Sequence, residues 1–215
     1  KAKKSLTAAE FIDQIAKSIN YPYPERLRLW RVGERDNKTK RPGDPVDTSS
    51  NLPLEQIFAK NLKVRAEINL YLDIADVDPT TGEVIPWYDN DLELGPQLLL
   101  FIKVFNPTTQ SVHGFMTWVG RANQKVKSLI PDVLKALGWD PDTKIRLLEE
   151  VKPNFIEETD IEETFDQARI GDGDIMCIEK VEPDLSSLPV GGYKTATDYY
   201  NFLFKRLHIV FRRRV

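Results

Sequence analysis

Two aspartates flank a glycine just before an apolar run, in the stretch Asp172-Gly173-Asp174 that is followed by IMCI. Paired carboxylates can bind a metal ion, supply one member of a catalytic acid/base pair, or attract a basic partner. The same residue types favour a tight turn, because Asp hydrogen-bonds nearby amides and Gly reaches positive φ. A D-x-D alone lacks a third metal ligand or a substrate pocket, so the turn and the partner site are the stronger and mutually compatible interpretations.

The nucleophile and metal-ligand content of the chain is low. Cys177 is the single cysteine, and His113 and His208 are the two histidines. A cysteine paired with a histidine is one pattern of a cysteine peptidase, but Cys177 lies in the apolar run IMCIEK, which predicts a core role. A single cysteine excludes an internal disulfide and favours a reducing compartment. One cysteine and two histidines are too few for a typical zinc site, so no metal and no cofactor is expected.

Negative charge is concentrated in one segment, although the net charge of the chain is only −3. Residues 157–184 hold eleven acidic residues against Arg169 and Lys180. Such an excess repels nucleic acid and favours a basic protein partner. The acidic residues are Glu157, Glu158, Asp160, Glu162, Glu163, Asp166, Asp172, Asp174, Glu179, Glu182 and Asp184.

The two aspartates of the D-x-D stretch would share a face if a strand began at Asp172. Residues two apart on an extended segment point to the same side, ~6.5–7 Å apart. Lysines four apart in a partner would be ~13 Å apart if extended and ~6 Å apart on a helix. A second acidic group is then needed for an extended partner, and Asp166, Glu163 and Glu179 are the candidates.

The first part of the chain predicts a helix, then two strands separated by a loop and a short helix. SLTAAEFIDQIAKSIN can be capped by Ser5 or Thr7, has Glu10 at the spacing of a capping box with Thr7, and carries an apolar stripe. RLRLWRV and LKVRAEINLYLDIA alternate as strands do, and LPLEQIFAK is a short helix. ERDNKTKRPGDPVDTSSN is a loop by composition. The stripe of the first helix consists of Phe11, Ile12, Ile15 and Ile19.

The second part predicts a hairpin, a helix, a strand, a turn, a strand and a final helix. The hairpin turns at NPTTQ, and the amphipathic segment ANQKVKSLIPDVLKALGWD predicts a helix that can kink at Pro131 and ends at Gly138. The predicted strands are KIRLLEEV and the one that GDGDIMCIEK enters, and IEETFDQARI between them is a short turn or a one-turn helix. TATDYYNFLFKRL is the final helix, and HIVFRRR is a further strand. The order is that of a β-grasp domain, and the first part repeats it without the opening hairpin.

Length and composition agree with two small domains. The chain has 215 residues, of which 41% are apolar and 29% charged, the profile of a globular protein. No apolar run reaches the ~18 residues of a membrane span, and the first residues lack the apolar core of a signal peptide. Turn-rich residues up to Gln97 separate the two domains, where Ile85 and Trp87 are candidates for a contact between them.

Several sequence motifs in these segments resemble those of one deubiquitinase family. RLRLWRV…NKTKRP, LLFIKVFNPTTQSV, and LLEEVKPNF followed about twenty residues later by DGDI are similar to the tandem ubiquitin-like region of the herpesvirus-associated ubiquitin-specific protease, a ubiquitin carboxyl-terminal hydrolase. The resemblance covers nearly the whole chain and keeps the motif order.

The resemblance implies an α+β fold with two tandem ubiquitin-like β-grasp domains, the first without its opening strand. Residues 1–88 would form the first domain, 89–97 a linker, 98–206 the second domain, and 207–215 the start of a third. The family's parent protein has a TRAF-like domain, a papain-like catalytic domain and five ubiquitin-like domains. The present chain would therefore be a non-catalytic fragment of a cysteine-type ubiquitin-specific protease.

The resemblance also implies a partner site. In the family, an acidic surface around DGDI of the second domain binds K-x-x-x-K segments of substrates, regulators and a viral immediate-early protein. Asp172 and Asp174 match that motif, whereas Ala168 and Arg169 stand where the family has further acids. We therefore expect a monomer that recruits Lys-rich partners in the nucleus, with the cytoplasm as a second compartment and no nucleic acid or membrane.

The rival hypothesis is a structural spacer that sets the distance between the catalytic domain and later ubiquitin-like domains. Its signature would be a rigid apolar contact built on Ile85 and Trp87. A third alternative, an enzyme in its own right, would require activity of this chain on a ubiquitin substrate, and none is expected.

Overall fold

The computed structural model divides the chain into unit 1, Lys1–Asp91, and unit 2, Leu92–Val215, and each is described by itself. It describes residues 2–35, 38–47, 51–59, 67–75, 77, 80–84, 96–153 and 155–206. Most of the predicted linker, the whole predicted start of a third domain, and Ile85, Trp87 and His208 lie outside the described residues. The predicted domain boundaries therefore stay predictions.

Unit 1 opens with helix α1, Ala8–Ser18. Its predicted capping box is present, because Thr7 N donates to Glu10 Oε2 at 2.8 Å and Glu10 N donates to Thr7 Oγ1 at 3.3 Å. Ile12 lies in the core of the unit, with Phe11 and Ile15 packed at its border. Ile19, the predicted fourth member of the apolar stripe, is 49% exposed because the helix ends one residue before it.

The sheet of unit 1 has the order β2-β1-β3, and both pairs are antiparallel. Its strands are β1 Leu27–Glu34, β2 Lys40–Pro45 and β3 Leu70–Ile74, with the short helix α2 Leu54–Ile57 before β3. The loop predicted around β2 is thus partly a strand. Its prolines are compatible with pairing because β2 bonds to β1 on one side and is an edge strand within the described part.

Unit 2 contains a five-stranded sheet with the order β5-β4-β8-β6-β7. Strands β4 and β8 pair in parallel at the centre, and the other neighbours are antiparallel. The elements are β4 Gln97–Asn106, β5 Ser111–Arg121, α3 Ile130–Leu137, β6 Ile145–Lys152, β7 Phe155–Glu158, β8 Ile175–Lys180 and α4 Ala196–Lys205.

This strand order confirms the ubiquitin-like β-grasp prediction. The first and last strands of unit 2 are the parallel central pair, and α3 follows the opening hairpin, as in that fold. In unit 1, the order β2-β1-β3 corresponds to β7-β6-β8 of unit 2. The described part of unit 1 is therefore the same fold without an opening hairpin, as the sequence predicts.

Two elements of unit 2 differ from the sequence predictions. Strand β7 is missed by sequence because its four residues include two glutamates, and only Ile156 is buried. Pro131 does not kink a helix, because a 3₁₀ turn, Val126–Leu129, precedes α3 and places Pro131 in the first helical turn. A proline there leaves no hydrogen bond unmade. Gly138 ends α3 with φ of 64°, as predicted.

The sheet of unit 2 is covered on both faces. One face packs against α3 and residues 165–170 around a core that includes Leu100, Ile102 and Phe165. The other face packs against α4, where Tyr200 and Ala196 lie on Phe105, Leu148, Ile156 and Cys177. No helix in the part of the chain that the structure describes is long and apolar enough to cross a membrane.

Helix α4 is held on the sheet by buried polar groups as well as by apolar contacts. Tyr200 Oη donates to Glu150 Oε2 at 2.5 Å, and Lys103 Nζ donates to the same oxygen at 2.6 Å. Ala196 N, at the first turn of α4, donates to Glu179 Oε2 at 2.6 Å. Because Glu150 is 5% exposed and Glu179 3% exposed, losing a donor leaves a buried carboxylate under-satisfied.

We expect Tyr200→Phe to lower the free energy of unfolding by about 1–2 kcal/mol, because Glu150 loses one donor. Tyr199→Phe is the matched control on the same helix, since among the described residues the Tyr199 hydroxyl has no hydrogen bond, and it should change stability by less than ~0.5 kcal/mol. Urea unfolding of both variants measures the difference. Equal effects would show that the Tyr200 hydroxyl does not hold α4.

Candidate functional site

The acidic segment, defined here as residues 157–174, runs along the end of β5 and the residues that follow it. Val126 N donates to Glu163 O at 2.9 Å, Phe165 N to Gln124 O at 3.0 Å, and Asp166 N to Ala122 O at 2.9 Å. Phe165 is fully buried and anchors the segment to the core. The backbone that carries these acids is therefore fixed by the fold.

The end of the acidic segment is a turn that leads into β8. Asp172 Oδ1 accepts a hydrogen bond from Leu99 N at 2.7 Å, and Gly173 N donates to Leu99 O at 2.7 Å. Gly173 has φ of 78°, which a residue with a side chain rarely adopts. The turn interpretation of D-x-D is confirmed, and the strand begins at Ile175 instead of Asp172.

The expectation that Asp172 and Asp174 present both carboxylates on one surface is wrong. Asp174 is 4% exposed, and its Oδ2 accepts a hydrogen bond from Gly171 N at 2.7 Å. Asp172 is half-buried, and its carboxylate binds the backbone of β4. The reason is that the backbone turns through Gly173 instead of extending, so the alternation of strand faces does not apply.

Glu179, also proposed as a partner residue from sequence, lies beneath α4. It is 3% exposed, its Oε2 accepts from Ala196 N, and its Oε1 lies 2.8 Å from Arg146 Nη2. Burial raises the pKa of this carboxyl above its usual value. Its position on the α4 face of β8 makes it a residue that holds the helix, which corrects the expectation that it lies at the surface.

Glu163 and Asp166, the remaining predicted contact residues, are exposed. Within the described residues, neither side chain forms a hydrogen bond or an ion pair. The neighbouring acids are also exposed, so the surface of the segment carries several carboxylates. These neighbouring exposed acids are Glu157, Glu158 and Asp160.

Ala168 and Arg169 follow these acids and lie before the turn. Ala168 packs against the core of unit 2, whereas Arg169 is exposed with φ of 59°. A non-glycine residue with positive φ is uncommon and reflects a tight local turn. Arg169 therefore places a positive charge between Asp166 and the Asp172 turn.

Sequence reasoning missed the contacts of Glu162. Lys125 Nζ lies 2.9 Å from Glu162 Oε2, and Lys127 Nζ lies 2.8 Å from Glu162 Oε1. The hydrogen bonds from Lys127 and Lys125 lower the pKa of Glu162 to about 2. The two lysines are 37 and 35 residues away in the chain, so no local pattern connects them with Glu162.

Cys177, the single cysteine, lies in the core of unit 2. Cys177 is fully buried, and burial raises the pKa of its thiol to about 12, so a nucleophilic thiolate is disfavoured. This confirms the predicted core role. In the part of the chain that the structure describes, no group of three or more acidic, cysteine or histidine side chains could hold a metal ion.

Comparison with known proteins assigns the chain to a family. A family model described as the ICP0-binding domain of ubiquitin-specific protease 7 matches residues 27–215. The chain belongs to this family. The match confirms the resemblance given by the sequence motifs, and the description names a partner-binding domain of a deubiquitinase.

Several similar proteins are named as ubiquitin hydrolases. Ubiquitin carboxyl-terminal hydrolase 5 of Schizosaccharomyces pombe is 28% identical over 216 residues, which covers 99% of this chain and 19% of that protein. Ubiquitin carboxyl-terminal hydrolase 15 of Saccharomyces cerevisiae is 31% identical over 276 residues, with coverage of 99% and 22%. Ubiquitin C-terminal hydrolase 12 of Arabidopsis thaliana is 30% identical over 187 residues, with coverage of 83% and 16%.

The chain thus spans roughly a fifth of the length of these relatives, between 16% and 22%. Among solved structures, a de novo designed protein based on ubiquitin aligns with a TM-score of 0.32 and 16% identity, over 41% of this chain and 95% of the designed one.

We expect Asp174→Ala to lower the free energy of unfolding by about 1–3 kcal/mol, because Gly171 N loses its acceptor at a buried position. Asp166→Ala, at an exposed position of the same segment, should change it by less than ~0.5 kcal/mol. Guanidinium unfolding of the two variants measures both values. A loss at Asp166 as large as that at Asp174 would contradict the division between buried and surface acids.

Proposed function

We propose that this chain is the non-catalytic ubiquitin-like region of a larger ubiquitin hydrolase and recruits its substrates and regulators. The acidic surface of unit 2 would bind Lys-rich segments of the K-x-x-x-K type. The observation that carries the proposal is the family match over residues 27–215 to a partner-binding domain of a deubiquitinase. The exposed carboxylates of the acidic segment support the class of partner.

The exposure of each acidic residue determines whether a partner can contact it directly. Glu163 and Asp166 are exposed on a fixed backbone, so an incoming ammonium group can reach them without disturbing the fold. Asp174 and Glu179 are buried and hold the turn and α4. In our proposal, Glu163 and Asp166 contact the partner directly, and Asp172 and Asp174 act mainly by shaping the segment.

The expected affinity is modest. An exposed ion pair contributes only ~0–1 kcal/mol, so a few such pairs with backbone hydrogen bonds give about 7–8 kcal/mol, which corresponds to micromolar binding. Because these charges are exposed, salt screens them strongly. A weak, salt-sensitive contact suits a surface that must release each substrate after recruitment.

Recruitment would serve a catalytic domain elsewhere in the same protein. We propose a cysteine-type ubiquitin-specific protease that cleaves isopeptide bonds between ubiquitin and proteins, acts in the nucleus with a cytoplasmic pool, and carries this region as a monomeric unit. Binding a substrate at two places raises the effective concentration of its ubiquitin linkage at the active site.

The test is a titration of a labelled K-x-x-x-K peptide into the chain, followed by fluorescence anisotropy at two salt concentrations. We expect Glu163→Gln with Asp166→Asn to weaken binding about 5- to 20-fold, which is the loss of roughly 1–2 kcal/mol of ion pairing. Higher salt should weaken wild-type binding more than binding of the variant.

The matched control is Asp13→Asn with Glu25→Gln, which removes two exposed acids from unit 1 and changes net charge equally. It should leave peptide affinity within about twofold, because neither residue belongs to the acidic segment. Equal losses in both variants, or no binding to the wild type, would refute recruitment by the acidic segment and favour the spacer hypothesis.

A further inference from the structure

The backbone places two lysines beside the acidic segment. Val126 N donates to Glu163 O at 2.9 Å, Lys127 N donates to Ile161 O at 3.1 Å, and Lys125 and Thr164 form an isolated antiparallel bridge. Val126 points into the core and is fully buried. Lys125 and the start of the 3₁₀ turn Val126–Leu129 therefore lie along residues 161–164, and both lysine side chains are about half exposed.

Both lysines reach the same carboxylate. Lys125 Nζ lies 2.9 Å from Glu162 Oε2, and Lys127 Nζ lies 2.8 Å from Oε1 and 2.9 Å from Oε2. The three side chains are about half exposed, at 53%, 46% and 57% for Lys125, Lys127 and Glu162. The contact is thus open to solvent and accessible to a competing cation.

This arrangement resembles, within the chain, the contact that a basic partner would make. Two lysines donate to one acidic residue in the middle of the acidic segment, between Asp160 and Glu163. The hydrogen bonds from Lys127 and Lys125 lower the pKa of this carboxyl to about 2, so its ionised form is favoured by the contact. The two positive charges also lower the negative potential at the neighbouring exposed acids.

We propose that Lys125 and Lys127 are an internal competitor that occupies Glu162 and masks part of the partner-binding surface. When a Lys-rich partner segment binds, its ammonium groups replace those of Lys125 and Lys127 on Glu162, which becomes a direct contact residue. This inference rests on the proposed function and adds the regulation of the same surface.

Replacement of the internal lysines is energetically feasible. Exposed ion pairs contribute only ~0–1 kcal/mol each, so an incoming lysine exchanges one weak pair for another. The pairs of Lys125 and Lys127 with Glu162 are favoured because the chain holds these groups close together. A partner with several lysines, however, gains contacts with Glu163 and Asp166 at the same time. Removal of the charge on Lys125 and Lys127, without any change to the acids, should therefore strengthen partner binding.

The experiment compares the binding of the K-x-x-x-K peptide to the wild type and to Lys125→Gln with Lys127→Gln. We expect the double variant to bind about 3- to 10-fold more tightly, with a steeper salt dependence. Adding Glu162→Gln to this variant should remove the gain. NMR titration of Glu162 should show its pKa rising from about 2 toward the ordinary glutamate value once the lysines are replaced.

The control is Lys135→Gln with Lys144→Gln, which changes net charge equally at two exposed lysines that form no ion pair with the acidic segment among the described residues. It should change affinity by less than twofold. An equal gain in this control, or a gain that survives Glu162→Gln, would overturn the masking role.

The outcomes separate the two proposals. Wild-type binding with no gain in the Lys125→Gln/Lys127→Gln variant would overturn the masking role and leave recruitment intact. Binding that appears only in that variant would refute recruitment by the wild-type chain and would support occupation of Glu162 by the two lysines. If neither protein binds the peptide, both proposals fail. A Glu162 pKa that stays near 2 in the variant would show that the lysines do not hold this carboxylate.

Discussion

Strand β8 must enter the sheet of unit 2 between β4 and β6, and the turn through Gly173 makes that entry. Leu99 of β4 binds the turn twice, through Asp172 Oδ1 and through Gly173 N, each at 2.7 Å. Asp174 then closes the turn by accepting from Gly171 N. The parallel pairing of β4 with β8 depends on these bonds, and so does the course of the acidic segment that precedes them.

The same constraint divides the acidic residues of unit 2 into two groups. Asp174, Glu150 and Glu179 are buried, and they bind the turn, Tyr200 and the first turn of α4. Glu163 and Asp166 are exposed on a backbone fixed by main-chain hydrogen bonds. In our proposal, these exposed acids form the surface that a partner binds.

Local signals were sufficient to predict much of this fold. The capping box at Thr7, the end of α3 at Gly138 and the turn at Gly173 depend on neighbouring residues, and all three are present. Strands β2 and β7 were missed because edge strands tolerate proline and charge. The burial of Glu179 could not be read from sequence, because α4 covers it from 17 residues further along the chain.

The proposed function requires that a Lys-rich segment binds the exposed acids of unit 2. The most direct measurement is a ¹⁵N NMR titration of the chain with a K-x-x-x-K peptide at low salt, which reports the binding surface without any substitution. Recruitment by the acidic segment predicts amide shifts concentrated at residues 160–167 and 122–127, which are joined by main-chain hydrogen bonds. Shifts confined to unit 1 or to α4, or no shifts at millimolar peptide, would contradict it.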